Sequence, residues 1–329
     1  MSFFSVALER SWYQPNWLTP LLWPFSVVYA VGWMIYKALH PLRRGETVAS
    51  VPVIVVGNLT VGGTGKTPLV VWLAQALNDA GYRPGIISRG YGGRARQPME
   101  VTAVMDPTVA GDEAVMMAGM TDVPVLVDYD RCRGIKFLYR QCNVNVVISD
   151  DGLQNRKLPR WLEVLVIDGE RRFGNGLLLP AGPLRESVAR MRTVDFIVAN
   201  GPARNGEIAM ATTVKQCVNL VSGELRPLSV MLGQKFLAVT GIGNAQRFFG
   251  QLRLAGVSLE ERMFPDHHVF CARDFETSEG RDVLMTAKDA VKCRQFAEAG
   301  WWQVNLEVSL PVGFADEIVA NLPDLDEVA

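Results

Sequence analysis

The chain has 329 residues, 49% hydrophobic and 20% charged, and its 33 basic and 34 acidic side chains leave a net charge of −1. That length has room for two domains, the composition excludes a disordered chain, and the near-zero charge makes no electrostatic case for nucleic acid. Five scattered cysteines without a C-x-x-C pair, and only three histidines, exclude a disulfide scaffold and a histidine-rich metal centre and suit a reducing compartment.

From Ser11 to Tyr36 the chain carries no charge, and four of its eight tryptophans (Trp12, Trp17, Trp23 and Trp33) lie there. Pro15, Pro20 and Pro24 interrupt this stretch and leave Phe25–Tyr36 as the unbroken apolar run, short of the roughly 20 residues that a spanning helix needs. Lys37, Arg43 and Arg44 follow it, whereas a signal peptide carries its charge first and ends in small residues. Aromatic residues favour the headgroup level and basic residues anionic lipid. The segment therefore reads as a helix lying in, or dipping into, the cytoplasmic face of a membrane. A helix packed on the protein's own core is the main competing reading, and a true span the remaining one.

After Gly45 short apolar runs alternate with helical stretches. Val51–Val56, Gly85–Ser88, Val123–Val127, Val144–Ser149, Val164–Asp168 and Phe196–Ala199 read as strands, with Thr67–Ala80 and Arg131–Gln141 as helices among them. Such alternation predicts a mostly parallel sheet with helices on both faces. The composition changes near Gly201–Glu207. Residues 212–232 then alternate weakly about Ser222–Gly223, as a hairpin would, and a second unit begins at Lys235 with strand candidates at Val283–Thr286 and Trp302–Leu306. The expected organisation is α/β: a membrane-associating segment over 1–44, a larger α/β domain over 45–208, a two-stranded β linker over 209–232 and a smaller α/β domain over 233–329.

Between the first strand and the first long helix of the larger domain stands VGNLTVGGTGKTP, Val56 to Pro68. A strand, a glycine-rich turn and a helix are the context in which backbone N–H groups and the helix N-terminus converge on phosphate. The usual G-x-x-x-x-G-K-[ST] spacing would put glycine at Thr60, but Gly57, Gly62 and Gly63 supply flexible backbone nearby. The cradle thus runs through Thr60, Val61, Gly62, Gly63, Thr64, Gly65, Lys66 and Thr67, as in a P-loop NTPase domain. Lys66 is suited to the β/γ-phosphates and Thr67 to Mg²⁺. The strand VNVVIS ends in Asp150–Asp151, a carboxylate pair suited to the same Mg²⁺, or to capping a strand–helix turn. SRGYGGR (Ser88–Arg94) offers Arg89 on glycine-rich backbone to an anionic group or to solvent. GDEA (Gly111–Ala114) places Asp112 at a helix start, where the residues alone favour a cap. TGIGNAQ lacks the third glycine of a dinucleotide fingerprint and reads as a tight turn shaping a cleft.

In this order GNLTVGGTGKTP, SRGYGGR, GDEA, SDDGLQNRKL, FGNGLLLPAGPLRE, TGIGNAQRFF, FPDHHVF and TAKDAVK resemble the tetraacyldisaccharide 4'-kinase family, from the apolar N-terminus almost to the end of the chain. The resemblance implies transfer of the ATP γ-phosphoryl group to the 4'-hydroxyl of an acylated disaccharide 1-phosphate lipid, giving lipid IV-A in lipid A biosynthesis. It also implies work at the cytoplasmic face of the bacterial inner membrane. It makes Asp112 the base, overturning the cap reading, His267 the residue that assists it from the second domain, and Asp150 and Asp151 the carboxylates on the metal side. His268 stays unassigned. Asn155 stands where the family often has His, and Ala114 where it often has Pro. A lipid acceptor gives RRFGNGLLLPAGPLRE a use at the entrance, with Leu177–Leu179 for apolar contact and Arg171, Arg172 and Arg185 for the 1-phosphate; an ordinary loop plugging the core is the alternative. A kinase for another glycolipid, a P-loop nucleotide switch or metallochaperone without a lipid acceptor, and an ATP-binding scaffold are the rival functions.

Overall fold

The structure, a computed structural model, describes residues 3–14, 16–266, 268–278 and 281–323. Its strands are β1 (Val53–Gly57), β2 (Pro84–Ser88), β3 (Met99–Glu100), β4 (Val125–Val127), β5 (Val146–Ser149), β6 (Leu162–Asp168), β7 (Phe196–Asn200), β8 (Ile208–Asn219), β9 (Leu225–Pro227), β10 (Lys235–Thr240), β11 (Ser258–Met263), β12 (Val283–Thr286) and β13 (Trp301–Ser309). The α-helices are α1 (Phe3–Tyr13), α2 (Leu18–Leu39), α3 (Lys66–Asp79), α4 (Pro107–Ala110), α5 (Asp112–Ala118), α6 (Arg131–Cys142), α7 (Ala245–Leu254), α8 (Ala287–Cys293) and α9 (Phe314–Ala320).

Alternation within a strand decides which core each residue enters. In β1, Ile54 and Val56 join Leu69, Leu73 and Leu77 of α3, whereas Val53 and Val55 join Ile135 and Leu138 of α6 on the opposite face. The C-terminal half repeats the arrangement: Phe236 and Ala238 of β10 meet Phe248, Phe249 and Leu252 of α7, while Leu237 and Val239 meet Ala290 and Cys293 of α8. A sheet with both faces covered reads as continuous apolar runs, which is why the strand candidates were visible in the sequence.

All the strands join one sheet in the order β11-β10-β12-β13-β8-β7-β6-β1-β5-β2-β4-β3, with β9 on β8. Pairing is parallel from β7 to β4 and from β11 to β13, so the sheet is mostly parallel as expected. The two halves meet along β8. Its first residues run parallel to β7 (Asn200↔Met210), and the rest runs antiparallel to β13, from Ala211↔Ser309 to Asn219↔Trp302. The turn at Ser222–Gly223 leads into the short β9, but the long partner of β8 arrives from the far end of the chain. After it, α9 returns to the N-terminal core, where Phe314 stacks on Trp72 (5.8 Å between centroids) and meets Phe196 edge-on (5.6 Å).

The N-terminal helix differs from its sequence reading. Pro20 and Pro24 do not break it: α2 is continuous from Leu18 to Leu39. Pro20 falls in the first turn, where no N–H is needed, and Pro24 forfeits one intrahelical bond that the length of the helix absorbs. Leu18–Leu39 is long and apolar enough to cross a membrane: an 18-residue stretch of it has mean hydropathy 1.5 and is 11% buried. Trp23, Phe25, Val28, Met34 and Ile35 stand exposed along it, and Trp17 just before it, so α2 is not a core helix.

The other side of α2 is held by polar contacts to the loop Asn175–Arg185. Ser26 Oγ donates to the Leu178 carbonyl (2.8 Å) and accepts from the Ala181 amide (3.0 Å), and Tyr29 donates to the Arg185 carbonyl (2.8 Å). From α1, the Trp12 indole donates to the Pro180 carbonyl (2.9 Å).

Candidate functional site

The carboxyl ends of β1, β2 and β5 open on one side of the sheet, the edge at which open α/β sheets build their sites. Each ends in a motif singled out above. β1 leads into the glycine-rich loop, β2 into Ser88–Arg89 and β5 into Asp150–Asp151. Facing them across a cleft of about 1400 Å³ are the turn Ile242–Asn244, the α7 residue Arg247, Asp266 and the start of α8, with Tyr29, Trp33 and Tyr36 of α2 along the wall.

The loop geometry explains the variant spacing. Gly65, the residue before α3, has φ +90°, and a Cβ there would stand 2.1 Å from Asn200 Nδ2, which donates to the Thr64 carbonyl (3.1 Å). Thr60 needs no such freedom. It is buried in an antiparallel bridge with Leu184, continued by Val61 N–H to the Pro183 carbonyl (2.8 Å). The cleft wall therefore starts at Val61 and runs through Thr67, and Thr60 braces the loop from behind.

Asp150 and Asp151 sit in contrasting environments. Arg131 fixes their backbone by donating to both carbonyls (2.6 and 3.1 Å). Asp151, at φ +47°, turns its carboxylate to Arg185 Nη1 (2.9 Å) and Lys66 Nζ (3.7 Å). Burial opposes its ionisation, but these two cations outweigh burial and hold it below the usual carboxylate range. Asp150 is fully buried. Desolvation first, then repulsion from Glu113 and Asp151, push it up to about 7 against the pull of Lys66 and Arg131. Ser88 Oγ donates to Asp150 Oδ2 (3.3 Å), and Oδ1 has no hydrogen-bond partner. A buried carboxylate oxygen without a partner, in a cleft also lined by Asp151 and Thr67, gives an all-oxygen donor set suited to a hard cation such as Mg²⁺. Among the described residues no cluster of three or more His, Cys, Asp or Glu side chains could hold a metal alone. Mg²⁺ commonly takes one or two carboxylates and completes its shell with phosphate and water, so the residues present fit it.

GDEA and SRGYGGR, separate in sequence, interlock. Gly111 has φ +92° and ψ +143°, and a Cβ there would stand 2.6 Å from the Tyr91 carbonyl oxygen. The contact fixes the start of α5. Its first residue, Asp112, accepts the Glu113 amide on Oδ1 (2.9 Å) and turns Oδ2 to Lys292 Nζ (3.5 Å) and Lys288 Nζ (4.0 Å) of α8. Glu113 walls the cleft directly and pairs with Lys288 (3.1 Å), while Asp112 stands just behind, 8% exposed. Lys288 also reaches Asp266 (3.4 Å). Burial favours its neutral form, but the Glu113, Asp112 and Asp266 carboxylates hold it charged and far above the ordinary lysine range.

The other expected site residues divide. Arg89 walls the cleft and lies over the Tyr129 ring (4.8 Å), and Arg185 walls it while bonded to Asp151. Arg171 donates to the Gly243 carbonyl (3.0 Å) and lies over the Tyr13 ring (5.2 Å), joining the halves behind the cleft. Arg172 pairs with Glu207 (2.5 Å). His267 lies outside the described residues. His268 stacks on Phe264 (4.6 Å) and binds Asp274 (2.9 Å), as a packed structural histidine would.

Sequence reasoning missed Glu113, Arg131, Asn200, Arg247, Lys288 and Lys292. For the two lysines a signal existed: TAKDAVK spaces them four apart on a helix start, hence on one face. Nothing in the sequence linked that face to GDEA.

A family model described as tetraacyldisaccharide-1-P 4'-kinase matches residues 18–323. The tetraacyldisaccharide 4'-kinase of Nitrosococcus oceani is 45% identical over 98% of this chain and 96% of its own length. That of Methylobacillus flagellatus is also 45% identical, over 98% of each chain. A crystal structure of LpxK from Aquifex aeolicus in complex with ATP superimposes with a TM-score of 0.78 at 29% identity, covering 93% of this chain and all of that one.

Proposed function

The chain belongs to the tetraacyldisaccharide-1-P 4'-kinase family and is a kinase of lipid A biosynthesis, and on that footing we propose that it transfers the γ-phosphoryl group of ATP to the 4'-hydroxyl of tetraacyldisaccharide 1-phosphate. The observation that carries this reading is the meeting, in one cleft, of the glycine-rich loop, the Asp150–Asp151 pair and the acidic start of α5, beneath an apolar helix with an exposed face.

A sugar hydroxyl is a weak nucleophile, and phosphoryl transfer is chiefly a matter of positioning and of stabilising spread charge. In the proposed step the 4'-oxygen bonds to the γ-phosphorus as the bond to the β-phosphate oxygen breaks, ADP leaves, and the hydroxyl proton passes to Asp112. An aspartate can accept that proton late, once the forming O–P bond has made it acidic. His267 assists from the C-terminal half. Lys66, the loop amides and Arg89 offset charge on the phosphates. Thr67, Asp150 and Asp151 would hold Mg²⁺, which supplies further charge neutralisation at the β/γ-phosphates when bound.

The lipid acceptor accounts for the exposed face of α2. Each CH₂ of an acyl chain costs about 0.8 kcal/mol to draw from the bilayer, so the enzyme seats itself on the membrane and admits the headgroup. Arg185 lines the cleft on the loop bonded to Ser26 and Tyr29, and its charge, shared with Asp151, supports a contact with an anionic group entering there.

The test is transfer of label from [γ-³²P]ATP to tetraacyldisaccharide 1-phosphate in mixed micelles with Mg²⁺. Wild type yields labelled lipid, and Asp112→Ala loses about 10²–10⁴-fold in rate. Label released only as free phosphate would favour a nucleotide switch over a lipid kinase. An undiminished Asp112→Ala rate would remove Asp112 as the base.

A further inference from the structure

α8 touches the machinery at two places through one buried carboxylate. Asp289, with no exposed surface, accepts from Thr240 Oγ1 (2.9 Å), the Gly241 amide (3.1 Å) and Thr286 Oγ1 (2.7 Å). Those bonds set the turn after β10, which carries Gly243 to the phosphate loop: a Cβ on Gly243 would stand 3.5 Å from the Gly63 nitrogen. The other oxygen of Asp289 is 3.4 Å from Lys292 Nζ, which is itself 3.5 Å from Asp112 Oδ2 and lies over the Phe270 ring (5.7 Å). Lys292 is one-tenth exposed and stands outside the cleft wall, so among the described residues it reaches the reaction through Asp112.

We propose that Lys292 is a positioning residue for phosphoryl transfer. With Asp289 it forms a strut from the C-terminal half that fixes the Asp112 carboxylate relative to the phosphate loop. Asp112–Lys292–Asp289–Gly241 is a chain of charge-assisted contacts, and two residues past its end Gly243 lies against Gly63, so the same turn is tied to both places that must be in register. Asp112 Oδ1 accepts from the Glu113 amide, and Oδ2 faces Lys292 at 3.5 Å and Lys288 at 4.0 Å. Lys288, which walls the cleft and bridges Glu113 and Asp266, works beside it.

The inference rests on Asp112 being the base, and the experiment separates the two. Lys292→Met and Lys292→Arg are assayed for transfer at varied ATP and lipid, with binding of a non-hydrolysable ATP analogue measured by calorimetry as the control for folding. Displacement of a catalytic group by about 1 Å costs on the order of 10²-fold. Lys292→Met is therefore expected to lose roughly 10- to 100-fold in kcat with KM and analogue affinity little changed, and Lys292→Arg to recover most of it. In an Asp112→Asn background the same Lys292→Met change should cost less than threefold, because there is no carboxylate left to position. A Lys292→Met enzyme with wild-type kcat overturns the strut while leaving the base intact. An equal fall in both backgrounds overturns it in favour of a structural role. If Lys292→Met does not fold, Asp289→Asn, which weakens the strut at its other end, must show the same kcat-selective loss, and wild-type kcat there refutes the proposal. Full activity of Asp112→Asn would instead defeat the base assignment itself.

Discussion

Gly111→Ala tests whether the interlock between SRGYGGR and GDEA positions Asp112, the proposed base. At φ +92° and ψ +143° Gly111 occupies backbone territory that essentially only glycine enters. Forcing an alanine there costs about 1–3 kcal/mol in strain. The added Cβ meets the Tyr91 carbonyl oxygen at 2.6 Å and the Gly90 carbonyl carbon at 3.1 Å, both backbone atoms with no rotamer to escape into. Overpacking adds about 1–3 kcal/mol, for a total of roughly 2–6 kcal/mol. Restoring ordinary van der Waals distance requires a shift of somewhat under ~1 Å, delivered to the next residue, Asp112, and a misplacement of that size costs on the order of 10²-fold in rate. Gly92→Ala is the control: Gly92 also has positive φ (+80°), but nothing lies within 4 Å of its Cβ position. Thermal unfolding and kcat measured on both variants separate strain from displacement. Both should lose stability, and only Gly111→Ala should lose kcat strongly. Equal kcat in the two variants would refute the view that this contact sets the base.

In the metal- and nucleotide-free enzyme, Asp150 has its folded pKa raised from 3.8 to about 7 by burial, then by Glu113 and Asp151. Between those values the folded state holds more protons than the unfolded state, so stability falls as pH rises from about 4 to about 7. Asp150→Asn should flatten that part of a plot of Tm against pH; an unchanged slope counts against the assignment. Phe314→Ala removes a side chain packed between Trp72 and Phe196, and should cost about 3–5 kcal/mol by chemical denaturation. A loss below 1 kcal/mol would mean that α9 contributes little to the N-terminal core.

Much of the fold was legible because both sheet faces are covered. Buried parallel strands write themselves as apolar runs, and β1, β2, β5, β6, β7 and β12 fell within two residues of the stretches expected for them. The edge strand β11 (Ser258–Met263) escaped, since its mixed burial leaves neither a clean alternation nor an apolar run. The pairing of β8 with β13 escaped for another reason: long-range partnership leaves no local mark, whereas the adjacent Ser222–Gly223 turn announced β9. At the site, motifs whose chemistry is local, such as the glycine-rich loop and Asp150–Asp151, were readable. Lys292 was not, because its contact with Asp112 depends on α8 of the C-terminal half packing against α5. The prolines of α2 misled in the opposite direction, since a helix long enough to lose one bond does not stop for it.

The double pairing of β8 also determines how the molecule can move. One continuous strand is stitched to the N-terminal half along its first residues and to the C-terminal half along the remainder. Translation of one half past the other would strip a whole ladder of hydrogen bonds, while rotation about the strand axis bends only the junction near Met210–Ala211. Small swings are thus the soft coordinate, and the cleft should gape most at the end farthest from this axle. The cleft can widen there by a modest twist, with no part of the sheet unzipped.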